Sequence, residues 1–221
     1  LLDRSGSMAY RGRGLSKIEY AAYLGAALAY LFIHQQDKVG LYAFGGSQAV
    51  TYLPPRGRTS HLHDVLAAIE AAVLEPAPGP TDLGPMLERV LENAHRRSMV
   101  IVISDLFDRD RDRADAALAA LRRLRHDVCV FHVLDRDELT LPFDRLTLFE
   151  SLEDDRRVLA DPHQVRAAYL DALGRFLDRT QRGCWNADID YQLCASDVPL
   201  ERALLDFLRP RADRPQRRGA A

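Results

Sequence analysis

Asp3, Ser5 and Ser7 stand two residues apart near the start of the chain, within Leu1-Leu2-Asp3-Arg4-Ser5-Gly6-Ser7-Met8. A carboxylate and two hydroxyls leave one short turn together, and Gly6 between the serines lets the backbone bend tightly. At the end of a buried strand, such a turn offers three oxygen ligands to a hard cation such as Mg²⁺. Alone it is an ordinary capped turn, because Asp and Ser favour turns for local reasons. Two further segments offer oxygens of the same kind: Thr81-Asp82, in a Pro/Gly loop, and Ser104-Asp105, after an apolar run. Each has a bland role by itself, Thr81 or Asp82 as a helix N-cap and Ser104-Asp105 as a strand-to-helix loop. Taken together and in order, they make Asp3, Ser5, Ser7, Thr81 and Asp105 the candidate metal ligands.

The strands and helices that would hold these residues follow from hydrophobic patterning. Lys17 to Gln36 reads as a long helix whose apolar residues cover much of its circumference, as for a helix laid on a sheet. Val39–Phe44, Met99–Ile103 and Val128–Leu134 are continuous apolar runs that suit strands buried on both faces. Gln48–Leu53 alternates and stops at Pro54-Pro55, which predicts an edge strand paired antiparallel to its predecessor through Gly45-Gly46. Further helices are expected at Thr59–Val73 (with Thr59 or Ser60 as cap), Leu83–Arg96, Arg109–Arg125, Pro162–Arg182 and Leu200–Leu208, with a last strand at Ile189–Cys194. Leu139–Asp161 is irregular, with a small hairpin turning at Glu153-Asp154-Asp155. Strands separated by helices predict an α/β fold: a doubly wound, mostly parallel sheet with helices on both faces and one antiparallel edge strand. Such sheets bind ligands beyond the carboxyl ends of their strands, where the strand order reverses. Asp3 and Asp105 both follow strands and fall on that edge.

At 221 residues the chain fits one large domain, assigned to residues 1–208, with 209–221 as a disordered tail of five Arg against one Asp. A net charge of -2 gives no electrostatic reason to bind nucleic acid. Nothing reads as a signal peptide, and the longest apolar stretch, Ala21–Ile33, is too short to span a bilayer. Cys129, Cys184 and Cys194 have no CxxC spacing and read as buried, reduced thiols, which suits a cytoplasmic compartment. Because the first strand would be only a few residues long, the chain is expected to be an N-terminally truncated piece of a longer protein.

The ordered set Asp-x-Ser-x-Ser, distant Thr and distant Asp resembles the metal-ion-dependent adhesion site of von Willebrand factor A domains. Longer strings extend the likeness over nearly the whole chain to the domain-of-unknown-function-58 family, whose members carry such a domain. These are LLDRSGSM, Lys17-Ile18-Glu19-Tyr20-Ala21, Asp37-Lys38-Val39-Gly40-Leu41, Val102-Ile103-Ser104-Asp105-Leu106, His126-Asp127-Val128 with His132-Val133-Leu134-Asp135, and Pro199-Leu200-Glu201 with Phe207-Leu208. The resemblance implies a von Willebrand A, Rossmann-like fold in which Ser5, Ser7 and Thr81 bind Mg²⁺ (or Mn²⁺) and Asp3 and Asp105 act through water. It also implies a MoxR-type AAA+ ATPase as partner and a membrane-anchoring region upstream, which would make this a cytoplasmic domain tethered to a membrane.

The expected function is therefore a metal-dependent protein-interaction module that captures a partner's Asp or Glu, and not an enzyme. An inner shell of neutral hydroxyls and water leaves Mg²⁺ much of its charge, which suits an incoming carboxylate. The alternative is a Mg²⁺-dependent phosphoester hydrolase using Asp3 at the same edge. Against it, no carboxylate follows two residues after Asp3, and no basic residue is obviously placed for phosphate. No GxSxG elbow, Walker A or GxGxxG motif supports catalytic or nucleotide-binding residues. His61-x-His63, His126 and His132 read as helix-start and core residues, the Asp108–Arg113 charge run as a solvated face or rim, and Glu150–Asp155 as a solvated turn.

Overall fold

The computed structural model describes residues 1–46, 50–75, 77, 79, 81–95 and 97–212, with side chains to residue 209. Its centre is a six-stranded sheet in the order β3-β2-β1-β4-β5-β8. The strands are β1 (Leu2–Asp3), β2 (Val39–Phe44), β3 (Thr51–Arg56), β4 (Met99–Ser104), β5 (Asp127–Leu134) and β8 (Asp190–Ala195). All neighbours run parallel except the edge pair β2 and β3. Helices α1 (Lys17–His34), α2 (Thr59–Leu74) and α7 (Leu200–Ala212) contribute to the core on one face; α3 (Leu83–Asn93), α4 (Arg111–Arg123) and α6 (Pro162–Asn186) contribute to the other. The fold is thus α/β and doubly wound, as the patterning predicts.

Strand alternation explains the two cores. In β5, Cys129, Phe131 and Val133 face the α1 side while Val128 and Val130 face the α3/α4 side. In β4, Ile103 and Val102 divide in the same way. Both faces of these strands are covered, so their sequences are nearly continuous apolar runs rather than alternating ones.

Several boundaries depart from the sequence reading for identifiable reasons. The edge strand does not stop at Pro54-Pro55: β3 runs through both to Arg56, with a register irregularity opposite Val39–Leu41. An edge position accepts proline because one side of the ladder needs no donor. The expected start of this strand at Gln48 and the ends of the Pro76–Pro80 loop lie outside the described residues. Neither Thr59 nor Ser60 caps α2; Arg58 holds the cap position without a side-chain bond. The last helix continues to Ala212, so residues 209–212 are helical rather than part of a tail.

A short α5 (Arg136–Thr140), which composition did not reveal, runs into the start of the irregular stretch, which then holds a hairpin of β6 (Thr147–Glu150) and β7 (Arg157–Ala160). Its turn includes Glu153–Asp155, as expected. Among the described residues, no helix is long and apolar enough to cross a membrane.

Leu87 is fully buried in the core between α3, α4 and the sheet. Leu87→Ala should lower the unfolding free energy by about 2–5 kcal/mol, with an unchanged denaturant slope in urea titration.

Candidate functional site

The strand order reverses between β1 and β4, and the candidate residues gather at that point. Leu2 pairs with Ile103 and Asp3 with Phe44, so Asp3 and the Ser104-Asp105 corner leave neighbouring strands side by side. Ser5 N donates to Asp3 Oδ1 at 2.9 Å, which closes the turn. Gly6–Ala9 then makes one 3-10 turn. Gly45, at the end of β2, lies so close that a Cβ there would be 2.6 Å from Ser5 N. The other side of the turn is held by Gly6 N donating to Gly79 O at 3.2 Å and Ala77 N donating to Arg4 O at 2.9 Å. These bonds carry the chain to Thr81.

All five sequence-predicted residues belong to this place. Thr81 Oγ1 lies 2.9 Å from Ser5 Oγ and 3.3 Å from Asp3 Oδ2. Ser5 Oγ lies 3.2 Å from Ser7 Oγ, and the Ser7 hydroxyl acts on the Asp105 carboxyl. Asp3, Ser5, Thr81 and Asp105 are fully buried, with Ser7 half-buried. Gly6 is explained differently from the sequence reading. Its φ is not positive, and what excludes a side chain is the Leu152 carbonyl, which an added Cβ would meet at 2.1 Å.

Two capping expectations are corrected. Asp82 sits at the N-cap of α3 without a side-chain bond, as Thr81 faces the site. The cap is supplied instead by Asp108, whose Oδ2 accepts from Leu83 N at 2.7 Å. Asp108 is therefore structural, as are Asp110, which caps α4, and Arg113, which pairs with Glu88. The charge run is not merely a solvated face.

Lys17, Glu138 and Ser104 complete the site; the first two were not singled out from sequence, and Ser104 was named only as part of Ser104-Asp105, not as a ligand. Lys17 Nζ is fully buried, 2.8 Å from Asp105 Oδ2 and 2.7 Å from Glu138 Oε1. It lies at the first helical position of α1, where Ser16 and Glu19 form a capping box. Glu138 is aimed by a second such box: Asp135 caps α5, and Glu138 Oε2 accepts from Asp135 N at 2.7 Å. Ser16-x-x-Glu19 and Asp135-x-x-Glu138 have capping-box spacing, a signal that the sequence reading above did not use, and nothing local reveals that Lys17 and Glu138 meet. Ser104 Oγ donates to Asp3 Oδ2 at 2.5 Å. Beyond it, Leu106 is left-handed (φ 58), with its N–H on Ser104 Oγ. A non-glycine residue in that conformation costs about 1–2 kcal/mol, and it turns the chain sharply after Asp105.

The electrostatics separate the two aspartates. Burial raises Asp3 to about 7, with the Asp105 charge adding to the effect and bonds from Ser104 and Ser5 opposing it. Asp3 is held by neutral donors. Burial also pushes Asp105 upward, but the Lys17 ammonium outweighs it and holds Asp105 below the usual carboxylate range. Burial disfavours the Lys17 charge, yet Asp105 and Glu138 together hold its pKa above normal. The Lys17 ammonium engages Asp105 and Glu138 but not Asp3, so with every group ionised the three carboxylates exceed it by two charges, the charge of one divalent cation. The donors around that excess are hydroxyls, which suit Mg²⁺ or Mn²⁺ rather than a softer metal. The residues present therefore fit such an ion. Among the described residues, no group of three His, Cys, Asp or Glu is placed to hold a metal, so the hydroxyls would have to contribute.

The other candidates serve packing. His132 is buried, accepts or donates at Nδ1 with Tyr191 at 2.8 Å, and is depressed to about 4 by burial. His61 meets the Val39 carbonyl at 2.9 Å. The three cysteines are free and buried.

The family model described as "Protein of unknown function DUF58" matches residues 1–175. The chain belongs to the DUF58 family. That match holds every site residue named above, whereas β8 and α7 lie beyond it. The DUF58 chain also resembles two solved structures. One is a conserved hypothetical protein BatB from Bacteroides thetaiotaomicron, 17% identical over 96% of each chain with a TM-score of 0.62. The other is an aerotolerance-related membrane protein from Bacteroides fragilis, 18% identical over 94% of each chain with a TM-score of 0.63. These likenesses concern the fold. No curated protein matches the chain.

Removing the Lys17 charge leaves Asp105 buried without its cation. Lys17→Met should cost about 3–5 kcal/mol in chemical denaturation, and adding Asp105→Asn in the same chain should recover part of the loss.

Proposed function

We propose that the chain is a divalent-cation-dependent protein-interaction module of the von Willebrand A type, acting by binding rather than by catalysis. The observation that carries this reading is the meeting of three hydroxyls and two carboxylates where the strand order reverses, with Thr81, Ser5 and Ser7 linked at 2.9 and 3.2 Å. Ser5, Ser7 and Thr81 would hold Mg²⁺ or Mn²⁺ directly. Asp3 and Asp105 would orient the waters and hydroxyls around it. A bound ion would supply a positive charge that a partner's Asp or Glu can ligate. Lys17 supports this by engaging Asp105, which keeps that carboxylate from neutralising the ion fully.

The partner presents an Asp or Glu. A MoxR-type AAA+ ATPase, or a protein it remodels, is our proposal for its identity, on the strength of the family resemblance. Attachment of the full-length protein to a membrane through an upstream region is a further part of the reading, supported by the description of the Bacteroides fragilis neighbour as a membrane protein. The hydrolase alternative has less support. Asp3 is buried and engaged by Ser104 and Thr81, and the nearby ammonium, Lys17, is committed to two carboxylates.

Calorimetric titration of Mn²⁺ and Mg²⁺ into EDTA-stripped protein tests the reading. Wild-type protein should bind one equivalent, Thr81→Ala should abolish saturation, and Asp3→Asn should weaken binding by about 10- to 100-fold. A flat titration in wild-type protein, or unchanged binding in both variants, would overturn it.

A further inference from the structure

A site that captures a partner's carboxylate has to be reachable, yet Asp3, Ser5, Thr81 and Asp105 are all fully buried. A cover over them is the tip of the β6–β7 hairpin. The Leu152 carbonyl rests against Gly6, in the middle of the Asp-x-Ser-x-Ser turn, with no room for a methyl group between them. The tip has a defined shape: Ser151 N donates to Arg156 O at 2.9 Å, and Ser151 Oγ accepts from the amides of Glu153 and Asp154, each at 3.3 Å. Asp154 is tied to Arg156 at 2.7 Å, which accounts for its charge.

Glu153 behaves differently. Its Oε1 is buried without a hydrogen-bond partner, although the residue is only half-buried. Burial raises its carboxyl above the ordinary value, the Ser7 hydroxyl opposes that, and the Asp105 and Lys17 charges also act on it. The Cα of Glu153 lies 3.5 Å from where a Gly6 side chain would begin, so the residue sits against the turn that carries Ser5 and Ser7. An orphaned buried acceptor is costly and calls for an explanation.

We propose that Glu153 is an internal carboxylate ligand of this site, occupying the position that a partner's Asp or Glu takes when the hairpin lifts. The inference rests on reading the site as a divalent-cation centre. It makes the hairpin a self-ligand that competes with the partner, and it assigns to Glu150–Asp155 a role other than a solvated acidic turn. The hairpin is suited to moving. It is a separate two-stranded sheet, and Leu148 and Leu159, paired across it, are 51% and 63% exposed.

The test uses Mn²⁺ and Mg²⁺ as probes on wild-type and Glu153→Ala protein, with calorimetry run alongside to report metal binding itself. Water-proton relaxation should show bound Mn²⁺ in the variant gaining about one exchangeable water out of the roughly six positions of an octahedral ion. Hydrogen exchange at residues 151–156 should slow on adding Mg²⁺ to wild-type protein but not to the variant. If both proteins bind metal with equal relaxation and equal tip exchange, Glu153 is not a ligand, and the cation centre stands without it. If calorimetry detects no metal in either protein, the cation-centre reading fails and the proposal falls with it.

Discussion

The need to neutralise charge inside a closed protein surface governs this structure. Lys17, Asp105 and Glu138 are drawn from α1, the end of β4 and α5, and they meet with Lys17 and Asp105 fully buried and Glu138 mostly so. An ammonium or carboxylate taken from water is tolerated only when paired and hydrogen-bonded. Three otherwise independent elements are thus locked at fixed spacing by one ammonium. Helix α5, only five residues long, owes its place to this pairing and to the Asp135 cap. Asp135 also accepts from Gly12 N and Ser196 Oγ, which brings the β1–α1 loop and the end of β8 to the same corner.

The pairing leaves the two aspartates chemically unequal. Asp105 has a cation and stays ionised, while Asp3 has hydroxyl and amide donors and a raised pKa. A buried carboxyl close to neutrality, bordered by Ser5, Ser7, Ser104 and Thr81, is poised for a change in local charge. A cation arriving there would favour the ionised form of Asp3, so binding and deprotonation would be linked. The topology makes this arrangement possible. Parallel strands release their carboxyl ends along one edge, and the reversal between β1 and β4 opens the gap that the β1–α1 turn and Thr81 line.

Much of this could be read from residue patterning. The runs Val39–Phe44, Met99–Ile103 and Val128–Leu134 marked buried strands because covered strands need apolar residues on both faces. Asp-x-Ser-x-Ser, Thr81 and Ser104-Asp105 were legible because each is a short local string, and the parallel topology alone places two of the three at one edge. The failures are equally physical. Proline was taken to end β3 because its missing donor is costly in a ladder, but an edge has a side where that donor is not required. Thr81 or Asp82 was offered as a cap for α3, when Asp108 reaches across from another loop to bond Leu83 N. A side chain brought from 25 residues away leaves no local trace.

Fold class, the order of the main elements and the set of oxygen-bearing residues at the strand ends follow from periodicity and short-range turn chemistry, and so were present in the residue order alone. Which charge neutralises which, and what lies against the Asp-x-Ser-x-Ser turn, is set by long-range packing. The burial of Lys17 between Asp105 and Glu138, and the contact of Leu152 with Gly6, join residues separated by 88, 121 and 146 positions respectively. Such meetings depend on the summed packing of α1, α5 and the β6–β7 hairpin against the sheet edge. No local propensity encodes that sum, so an exposed-looking acidic turn could come to rest against Gly6.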